Sequence, residues 1–387
     1  MKVGLVIASD FAMWRLRKGL IKALVEKGIE TYVITPPGPY VDKMLTLGVM
    51  HIPLPMYRFF SPIRDVKLSL SLYKIFKKER FDIVHNMTMK PVIYGSIAAR
   101  AAGVRKIVGL ISGMGLLFSA EASTNVRIIR PFIRSLLRLS FSCCHKVWFQ
   151  NPDDMEYAVN RGLLSGEKAV LIKGSGVDLD EFSPQNVAKE ARKKLAMEFD
   201  IKDGDKVVTM VSARLIWPKG VAEFLKAGKM LTEKHPGVKF ILVAPLEPEN
   251  PEAVPMDFAL SYASRDISVV TNFRDDTKEI MAISAVVVLP SYYKEGVPRV
   301  LLEALALGKP VVTADTSGCR EVVEDGRNGF LVPARDSMRL AKAIEECIFD
   351  EKNMQIFSEN SRKKAEKEFD EKDVADRVIK DVYNIIT

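Results

Sequence analysis

The sequence has few of the residues on which metal sites, disulfides and proton-transfer chemistry depend. Its 387 residues include only four cysteines and four histidines. Cys143 and Cys144 are adjacent, while Cys319 and Cys347 stand alone, so no CxxC pair points to zinc or redox chemistry. We therefore expect reduced thiols in apolar surroundings, no metal site and no bound cofactor.

Long apolar runs are also missing. No stretch approaches the ~18 residues needed to span a bilayer. The N-terminal sequence MKVGLVIASD has one lysine and an apolar run that is short for a signal peptide, so it is interpreted as a first β-strand. These features predict a chain that stays in the cytoplasm.

Charge is distributed unevenly along the chain. Residues 1–180 carry 26 basic and 14 acidic side chains, a net charge of +12, whereas the remainder carries 31 and 35, a net charge of −4. The difference indicates that only the first half meets an anionic partner. Nucleic acid, an anionic membrane surface and a phosphate-bearing substrate all fit this pattern.

Short β-rich runs alternate with amphipathic helical stretches, and the alternation occurs twice. This pattern predicts an α/β protein with two doubly wound, Rossmann-like domains that face each other across a cleft. We predict domains at 1–178 and 179–367, with a helix over 368–387 that returns toward the first domain. The strands are predicted at 3–8, 31–35, 83–85, 107–110, 147–150, 169–173, 207–212, 239–244, 268–270, 286–290, 310–314 and 329–332. The helices are predicted near 12–27, 65–79, 91–102, 125–142, 220–234, 276–283, 299–307, 320–324 and 337–348.

The sequence 291–315, SYYKEGVPRVLLEALALGKPVVTAD, contains the most informative motif. Glu295 lies in a loop after an apolar strand, and Glu303 follows eight residues later, one turn into a helix. Pro298 can open that helix, whose first N–H groups can hold an anion. Glu303 can accept both hydroxyls of a ribose, and Glu295 can bind hydroxyls of a hexose.

A second motif, SARLIWPKG, follows the first strand of the second half. Arg214 and Lys219 project from this loop, and paired cations are a simple way to stabilise a departing nucleoside diphosphate without metal. An isolated pair of this kind is usually surface charge. The interpretation therefore depends on both motifs together.

Together these motifs resemble retaining GT-B glycosyltransferases of family four, in the bacterial surface-glycan branch that acts on polyprenyl-diphosphate-linked sugars. The resemblance extends over nearly the whole chain. Other segments that carry it are HNMTMKP (85–91), SGMGLLF (112–118), FQNPDD (149–154) and GSGVDLDEF (174–182).

The resemblance implies roles for individual residues around a UDP-sugar donor. Arg214 and Lys219 would bind the diphosphate and Glu303 the ribose. The donor sugar would be held by Glu295 and by the loop that follows it, which comprises Gly296, Val297 and Pro298. Backbone near Phe273 and Arg274 would read the base.

The acceptor side departs from the family pattern. Many members have a Gly-Gly pair after the first strand and a histidine near the reacting carbon, where this chain has Ser9-Asp10-Phe11 and Gly113-Met114-Gly115. Backbone at Gly113 and Gly115 is expected to approach the sugar. Candidate contacts to the acceptor are Arg17, His85 and Lys90, each weighed about equally against a structural role.

The segment 125–142, NVRIIRPFIRSLLRLSFS, has two interpretations, and the uneven charge of the chain slightly favours the first. Its arginines recur every three or four residues and form one basic face, opposite an apolar face of isoleucine, leucine and phenylalanine. It is either an interfacial helix on anionic lipid, at the inner face of the plasma membrane, or a core helix with a solvated basic stripe. The basic face consists of Arg127, Arg130, Arg134 and Arg138.

The resulting hypothesis is transfer of a hexose or N-acetylhexosamine from a UDP-sugar to a polyprenyl-diphosphate-linked saccharide, with retained configuration. A UDP-sugar 2-epimerase on the same fold is the alternative, although it needs more cleft histidines and carboxylates. A nicotinamide dehydrogenase lacks support because no G-x-G-x-x-G follows the first strand. A nucleic-acid or membrane-binding module would leave Glu295 and Glu303 without a role, and no nucleic-acid partner is expected.

Overall fold

The computed structural model describes residues 1–57, 61–115 and 124–385, except for the side chains of residues 124–127. The chain divides into two compact units. Unit 1 comprises Met1–Gly176 and Glu371–Thr387, and unit 2 comprises Val177–Asp370. Each contains a parallel sheet with helices on both faces, so the predicted fold class is confirmed.

Unit 1 is built on seven parallel strands in the order β3-β2-β1-β4-β5-β6-β7. The strands are β1 (Lys2–Val6), β2 (Glu30–Thr35), β3 (Met50–Pro53), β4 (Ile83–Met87), β5 (Lys106–Ile111), β6 (Lys146–Phe149) and β7 (Ala169–Leu171). The helices are α1 (Asp10–Glu26), α2 (Val41–Leu45), α3 (Pro62–Glu79), a π-helical turn (Pro91–Gly95), α4 (Ser96–Ala102), α5 (Thr124–Cys143) and α6 (Pro152–Asn160). Most strands are buried along their length because helices cover both faces of the sheet.

Unit 2 contains six parallel strands in the order β10-β9-β8-β11-β12-β13. The strands are β8 (Lys206–Val211), β9 (Val238–Val243), β10 (Ile267–Val270), β11 (Val286–Leu289), β12 (Val311–Ala314) and β13 (Gly329–Val332). The helices are α7 (Lys189–Glu198), α8 (Val221–Lys234), α9 (Met256–Leu260), α10 (Thr277–Ala282), α11 (Arg299–Ala306), α12 (Ser337–Phe349) and α13 (Glu351–Glu368). Asp336 caps α12 through its side chain, which accepts a hydrogen bond from the backbone N–H of Arg339.

The last part of the chain belongs to unit 1. It forms α14 (Glu371–Arg377) and a second π-helical turn (Val378–Val382). These elements share a core with α1, on the face of the sheet opposite α3, α4 and α5. Tyr383 is 2% exposed, and its backbone carbonyl accepts a hydrogen bond from Lys106 Nζ at 2.6 Å. The C-terminal segment is therefore an integral layer of unit 1.

Several elements differ from the sequence-based prediction. The edge strand β3 and the helices α2, α7 and α9 were not predicted, and α7 lies shortly after the predicted domain boundary at 178. The helix predicted at 320–324 is wrong, because the chain there makes turns instead, with Val322 N–H bonded to the Cys319 carbonyl. All four cysteines are free thiols, as expected, and burial raises the pKa of Cys319 to about 11 and that of Cys144 to about 12. Within the described residues, no helix has the length and hydrophobicity that crossing a bilayer requires.

Candidate functional site

The strand order of unit 2 reverses between β8 and β11, which are hydrogen-bonded neighbours. From β8 the chain moves outward to β9 and β10, and from β11 it moves in the other direction to β12 and β13. Such a reversal opens a crevice at the carboxyl ends of the two strands, where α/β sheets bind ligands. The loops that leave β8 and β11 carry the two sequence motifs.

The two loops are joined by an ion pair. Lys219 Nζ donates a hydrogen bond to Glu295 Oε2 at 2.6 Å, and both side chains are largely buried, at 10% and 14% exposed. Ser291 Oγ donates to the other carboxylate oxygen, also at 2.6 Å. Glu295 is therefore fixed by a cation on one oxygen and a hydroxyl on the other, and residues 76 positions apart form one polar centre.

Arg214 belongs to the same cluster. Its guanidinium lies 5.6 Å from the centre of the Tyr293 ring, and Lys219 Nζ lies 5.9 Å from the same ring. Both cations therefore face one aromatic side chain, on the loop that carries Glu295. The structure brings Arg214, Lys219 and Glu295 together as the sequence predicts, and two positive charges beside one carboxylate favour an anionic ligand.

Two glycines allow the loops to approach so closely. Gly220 has φ of +80°, and a Cβ atom there would lie 2.3 Å from the carbonyl oxygen of Pro290. Gly318 has φ of +75°, and a Cβ atom there would lie 1.3 Å from the carbonyl oxygen of Gly296. Any larger residue would push the loops apart, so the position of Glu295 depends on the absence of side chains at these points.

Glu303 lies in α11, the helix that follows the Glu295 loop. Its side chain is 4% exposed and forms an ion pair with Arg299 Nε at 3.2 Å, one helical turn earlier. Pro298 precedes the helix in an extended conformation, as predicted, and Gly296, Val297 and Pro298 are all buried. The loop is therefore a fixed backbone platform at the carboxyl end of β11.

Phe273 and Arg274 follow β10 and have different surroundings. Phe273 is 55% exposed. The Arg274 guanidinium pairs with Asp276 at 2.6 Å and with both carboxylate oxygens of Glu198, which raises the arginine pKa above its ordinary value. The Arg274 side chain thus ties the loop to α7, and any contact with a base falls to the backbone, as the sequence resemblance implies.

The chain is similar to known proteins in both of its units. The family described as Glycosyl transferase 4-like matches residues 2–151, and the family described as Glycosyl transferases group 1 matches residues 192–364. The N,N'-diacetylbacillosaminyl-diphospho-undecaprenol alpha-1,3-N-acetylgalactosaminyltransferase of Campylobacter jejuni is 30% identical over 384 residues, 98% of each chain. The chain belongs to the glycosyltransferase family of this relative, group 1 and 4-like.

Two further comparisons agree with the assignment. The UDP-Gal:alpha-D-GlcNAc-diphosphoundecaprenol alpha-1,3-galactosyltransferase of Escherichia coli is 30% identical over 329 residues, 84% of this glycosyltransferase and 81% of that protein. A crystal structure of HepE from Anabaena in complex with UDP-glucose covers all of both chains, with a TM-score of 0.79 and 20% identity. At that identity the likeness shows the fold alone, which is GT-B. The family matches and the two curated relatives confirm the predicted enzyme class, a hexosyltransferase.

In unit 1 of the glycosyltransferase, the structure corrects two predicted acceptor contacts. His85 is fully buried and accepts or donates a hydrogen bond at Nδ1 with the Tyr383 hydroxyl, 2.8 Å away. Desolvation and the nearby Arg17 guanidinium hold the His85 pKa well below its ordinary value. Arg17 is 2% exposed, and its guanidinium lies 5.1 Å from the Trp148 ring. Both side chains lie in the core, because His85 is in the middle of β4 and Arg17 is on the inner face of α1.

The remaining acceptor candidates lie closer to the surface. Lys90 Nζ forms an ion pair with Asp65 at 2.6 Å, and Asp65 is 2% exposed. Burial, and then the Asp65 carboxylate to which its hydroxyl donates a hydrogen bond, raise the pKa of Tyr94 to about 12. Gly113 and Gly115 have positive φ, at +134° and +62°, which glycine adopts more readily than other residues. Their roles toward an acceptor stay predictions.

Helix α5 does not have the single apolar face that the sequence suggests. Ile133 and Leu137 are buried, whereas Ile128 is 70% and Phe132 is 57% exposed. Arg130 and Arg134 are half-buried, Arg138 is exposed, and the side chain of Arg127 lies outside the described part. The helix is therefore both a core helix and an exposed apolar surface.

Sequence reasoning missed three residues at the two switch points. Ser291, which holds Glu295, gives no signal because serine is common in loops. In unit 1, β1 and β4 are neighbours at the reversal of strand order. Asp10 follows β1 and accepts a hydrogen bond from the Tyr40 backbone N–H at 3.1 Å. Thr88 follows β4 with φ of +70°, a strained conformation for a β-branched residue and typical of functional loops.

Proposed function

We propose that this glycosyltransferase moves a hexose or an N-acetylhexosamine from a UDP-sugar to a polyprenyl-diphosphate-linked saccharide. The observation that carries the proposal is the contact between Lys219 and Glu295 at the switch point of unit 2, with Arg214 beside it. The acceptor class is supported by two relatives whose names specify diphospho-undecaprenol-linked substrates.

The cations suit the chemistry of the leaving group. When the bond between the anomeric carbon and the β-phosphate oxygen breaks, negative charge develops on the diphosphate. Arg214 and Lys219 both follow β8 and lie 5.6 and 5.9 Å from the centre of the Tyr293 ring, so together they can stabilise this charge. In this proposal the reaction needs no metal ion, and excess EDTA leaves the rate unchanged.

Glu295 and Glu303 serve different parts of the donor. Glu295 accepts hydrogen bonds, so it holds sugar hydroxyls beside the cations, and Ser291 keeps its carboxylate oriented. Glu303, next to Arg299 in α11, accepts the ribose hydroxyls. The buried loop of Gly296, Val297 and Pro298 offers backbone groups to the sugar.

Configuration at the anomeric carbon is retained in this proposal. The acceptor hydroxyl attacks the donor carbon on the face that the diphosphate leaves. A new carbon–oxygen bond forms, the bond to the β-phosphate breaks, and the hydroxyl proton passes to the departing phosphate oxygen. The products are the extended lipid-linked saccharide and UDP.

The acceptor would require the protein to work at a membrane surface. We place it as a peripheral protein on the inner face of the plasma membrane, with α5 against anionic lipid. Its exposed Ile128 and Phe132 and its run of arginines support this placement. The net positive charge of the first half of the sequence supports this placement as well.

A panel of UDP-sugars tested with and without lipid-linked acceptors distinguishes the candidate functions. Release of UDP that depends on the acceptor, with a product of retained configuration, is the expected result. Rearrangement of the sugar without acceptor would instead favour the 2-epimerase alternative, which the family assignment supports less. Release of UDP at the same rate with water alone would contradict transfer.

A further inference from the structure

Helix α3 has a second apolar face that the described residues of its own unit leave exposed. Asp65, Leu68, Leu72 and Phe76 are buried against the rest of unit 1. On the opposite side, four large side chains are exposed at intervals of three and four residues, so they form one stripe of about 15 Å. They are Ile63 (73% exposed), Val66 (59%), Leu70 (56%) and Tyr73 (36%).

The charges around this stripe have one sign. Five exposed basic side chains lie beside it, and the two acidic residues of the helix are both paired with lysines, Glu79 with Lys78 at 3.8 Å among them. Asp65 pairs with Lys90, and Glu79 accepts a hydrogen bond from Lys2 Nζ at 2.8 Å. The basic residues are Arg64, Lys67, Lys74, Lys77 and Lys78. An apolar stripe with a cationic border is typical of a helix that lies in a membrane interface.

The stripe does not lie alone on unit 1. Both α3 and α5 pack against α4 and the π-helical turn before it, so both cover the same face of the sheet. Because their buried sides face the sheet, their exposed sides point away from it in a common direction. On α5 the exposed apolar side chains are Ile128, Ile129, Phe132 and Leu139.

The orientation of α3 is fixed from within. The ion pair between Asp65 and Lys90 at 2.6 Å and the hydrogen bond from Tyr94 to Asp65 hold the inner face. The helix therefore cannot rotate to bury Val66 and Leu70 without breaking a buried ion pair. Exposure of the stripe is built into unit 1.

We propose that the outer face of α3 is a second membrane-contacting surface, which acts beside α5 and binds anionic lipid. Charge complementarity selects this partner: a second copy of the chain would bring one cationic border against another, whereas an anionic bilayer neutralises it. The surface is defined by unit 1 alone. Its purpose rests on the proposed function, because a polyprenyl-linked acceptor is held in a membrane.

Sedimentation of the full-length chain with vesicles of phosphatidylcholine and phosphatidylglycerol tests the proposal. The double variant Val66→Glu with Leu70→Glu is expected to weaken binding about tenfold or more, and Phe132→Glu on α5 to weaken it comparably. The matched control is Leu45→Glu, which places the same charge at a 43% exposed leucine of α2, on the other face of the sheet. Unchanged binding by the double variant, or an equal loss in the control, would overturn the proposal.

A second variant guards against misfolding of the first. Tyr73→Trp places a fluorescent probe on the stripe with little change in size. Its added emission is expected to shift to shorter wavelength with phosphatidylglycerol vesicles and to be quenched by brominated lipid. Emission unaffected by vesicles would contradict the proposal, and so would a change from dimer to monomer on Val66→Glu, which would assign the face to a second copy.

The two proposals can fail separately. If α3 variants lose vesicle binding while no lipid-linked acceptor is extended, the surface stands and the acceptor assignment fails. If the enzyme extends such acceptors but binds vesicles equally well without the stripe, the reverse holds. Short-chain acceptors in solution, which need no membrane, should be extended at similar rates by the wild type and the double variant.

Discussion

The two units share a topology but differ in where they carry charge. In unit 2, opposite charges meet at the switch point, where Lys219 contacts Glu295. In unit 1, the corresponding loops carry Asp10 and the strained Thr88, and a group of exposed basic residues lies on the outer surface of α3. The same topology therefore carries charge in two different places, at the strand ends of unit 2 and on the outer helices of unit 1.

The largest expected effect is at the charged switch point. Lys219→Ala or Arg214→Ala should lower turnover about a hundredfold or more, because one charge-stabilising contact to the departing diphosphate contributes about 2.7–4 kcal/mol. Steady-state rates with saturating acceptor measure this loss. Lys226→Ala, on the exposed side of α8, is the control and should keep wild-type turnover. Near-normal rates in both site variants would remove the cations from the mechanism.

A stability measurement tests whether Lys90 stabilises the fold of unit 1 or binds the acceptor. Lys90→Ala should lower the free energy of unfolding by about 3 kcal/mol, because it leaves the buried Asp65 carboxylate without its cation. Chemical denaturation provides the value, with Lys43→Ala on the exposed side of α2 as a control near zero. Loss of acceptor binding with unchanged stability would instead support the predicted contact between Lys90 and the acceptor.

Ser291→Ala sharpens the description of the donor site. Removal of the hydroxyl that bonds Glu295 should lower kcat/KM for the donor about tenfold, since a hydrogen bond to a charged group contributes about 1.5–3 kcal/mol. The effect should be larger for donor sugars whose hydroxyls bind the Glu295 carboxylate. Ser261→Ala, on an exposed turn, serves as the control. Equal kcat/KM in Ser291→Ala and the wild type would mean that Lys219 alone orients the carboxylate.

The smallest expected effect concerns pH. His85 has a pKa well below its ordinary value, so the folded protein keeps it neutral while the unfolded chain takes up a proton below about pH 6.5. Stability should therefore fall as the pH drops through this range. His85→Phe should show a decrease between about pH 7 and pH 5.5 that is about 1 kcal/mol smaller than in the wild type. Identical pH dependence in the two proteins would mean that His85 can be protonated in the fold.

The sequence predicts the architecture well because strands and helices of parallel α/β proteins have strong apolar patterns. The prediction misses β3 and α7, which both lack such a pattern. β3 is a four-residue edge strand, exposed at Met50, and α7 buries only Leu195 along a charged sequence. Neither has the apolar repetition on which the prediction depends.

The cluster of Arg214, Lys219 and Glu295 was also predictable from the sequence, because loops that follow neighbouring strands come together at one edge of the sheet. The unit 1 candidates were not. His85 and Arg17 are polar residues in apolar elements, and spacing alone does not tell which of them turn inward to find a partner such as Tyr383, 298 residues away. Helix α5 shows the same difficulty, since Ile128 and Ile133 are alike in sequence but differ in burial.

The division of the chain has a consequence for synthesis on the ribosome. Unit 2 is continuous in sequence, so it can complete its core while later residues are still being added. Unit 1 begins first but lacks a layer of its core until the segment with Val378, Val382 and Tyr383 has emerged. Unit 1 is thus synthesised first but completes its core last. During translation, the apolar surface of α1 stays uncovered until the segment over 371–383 has been synthesised.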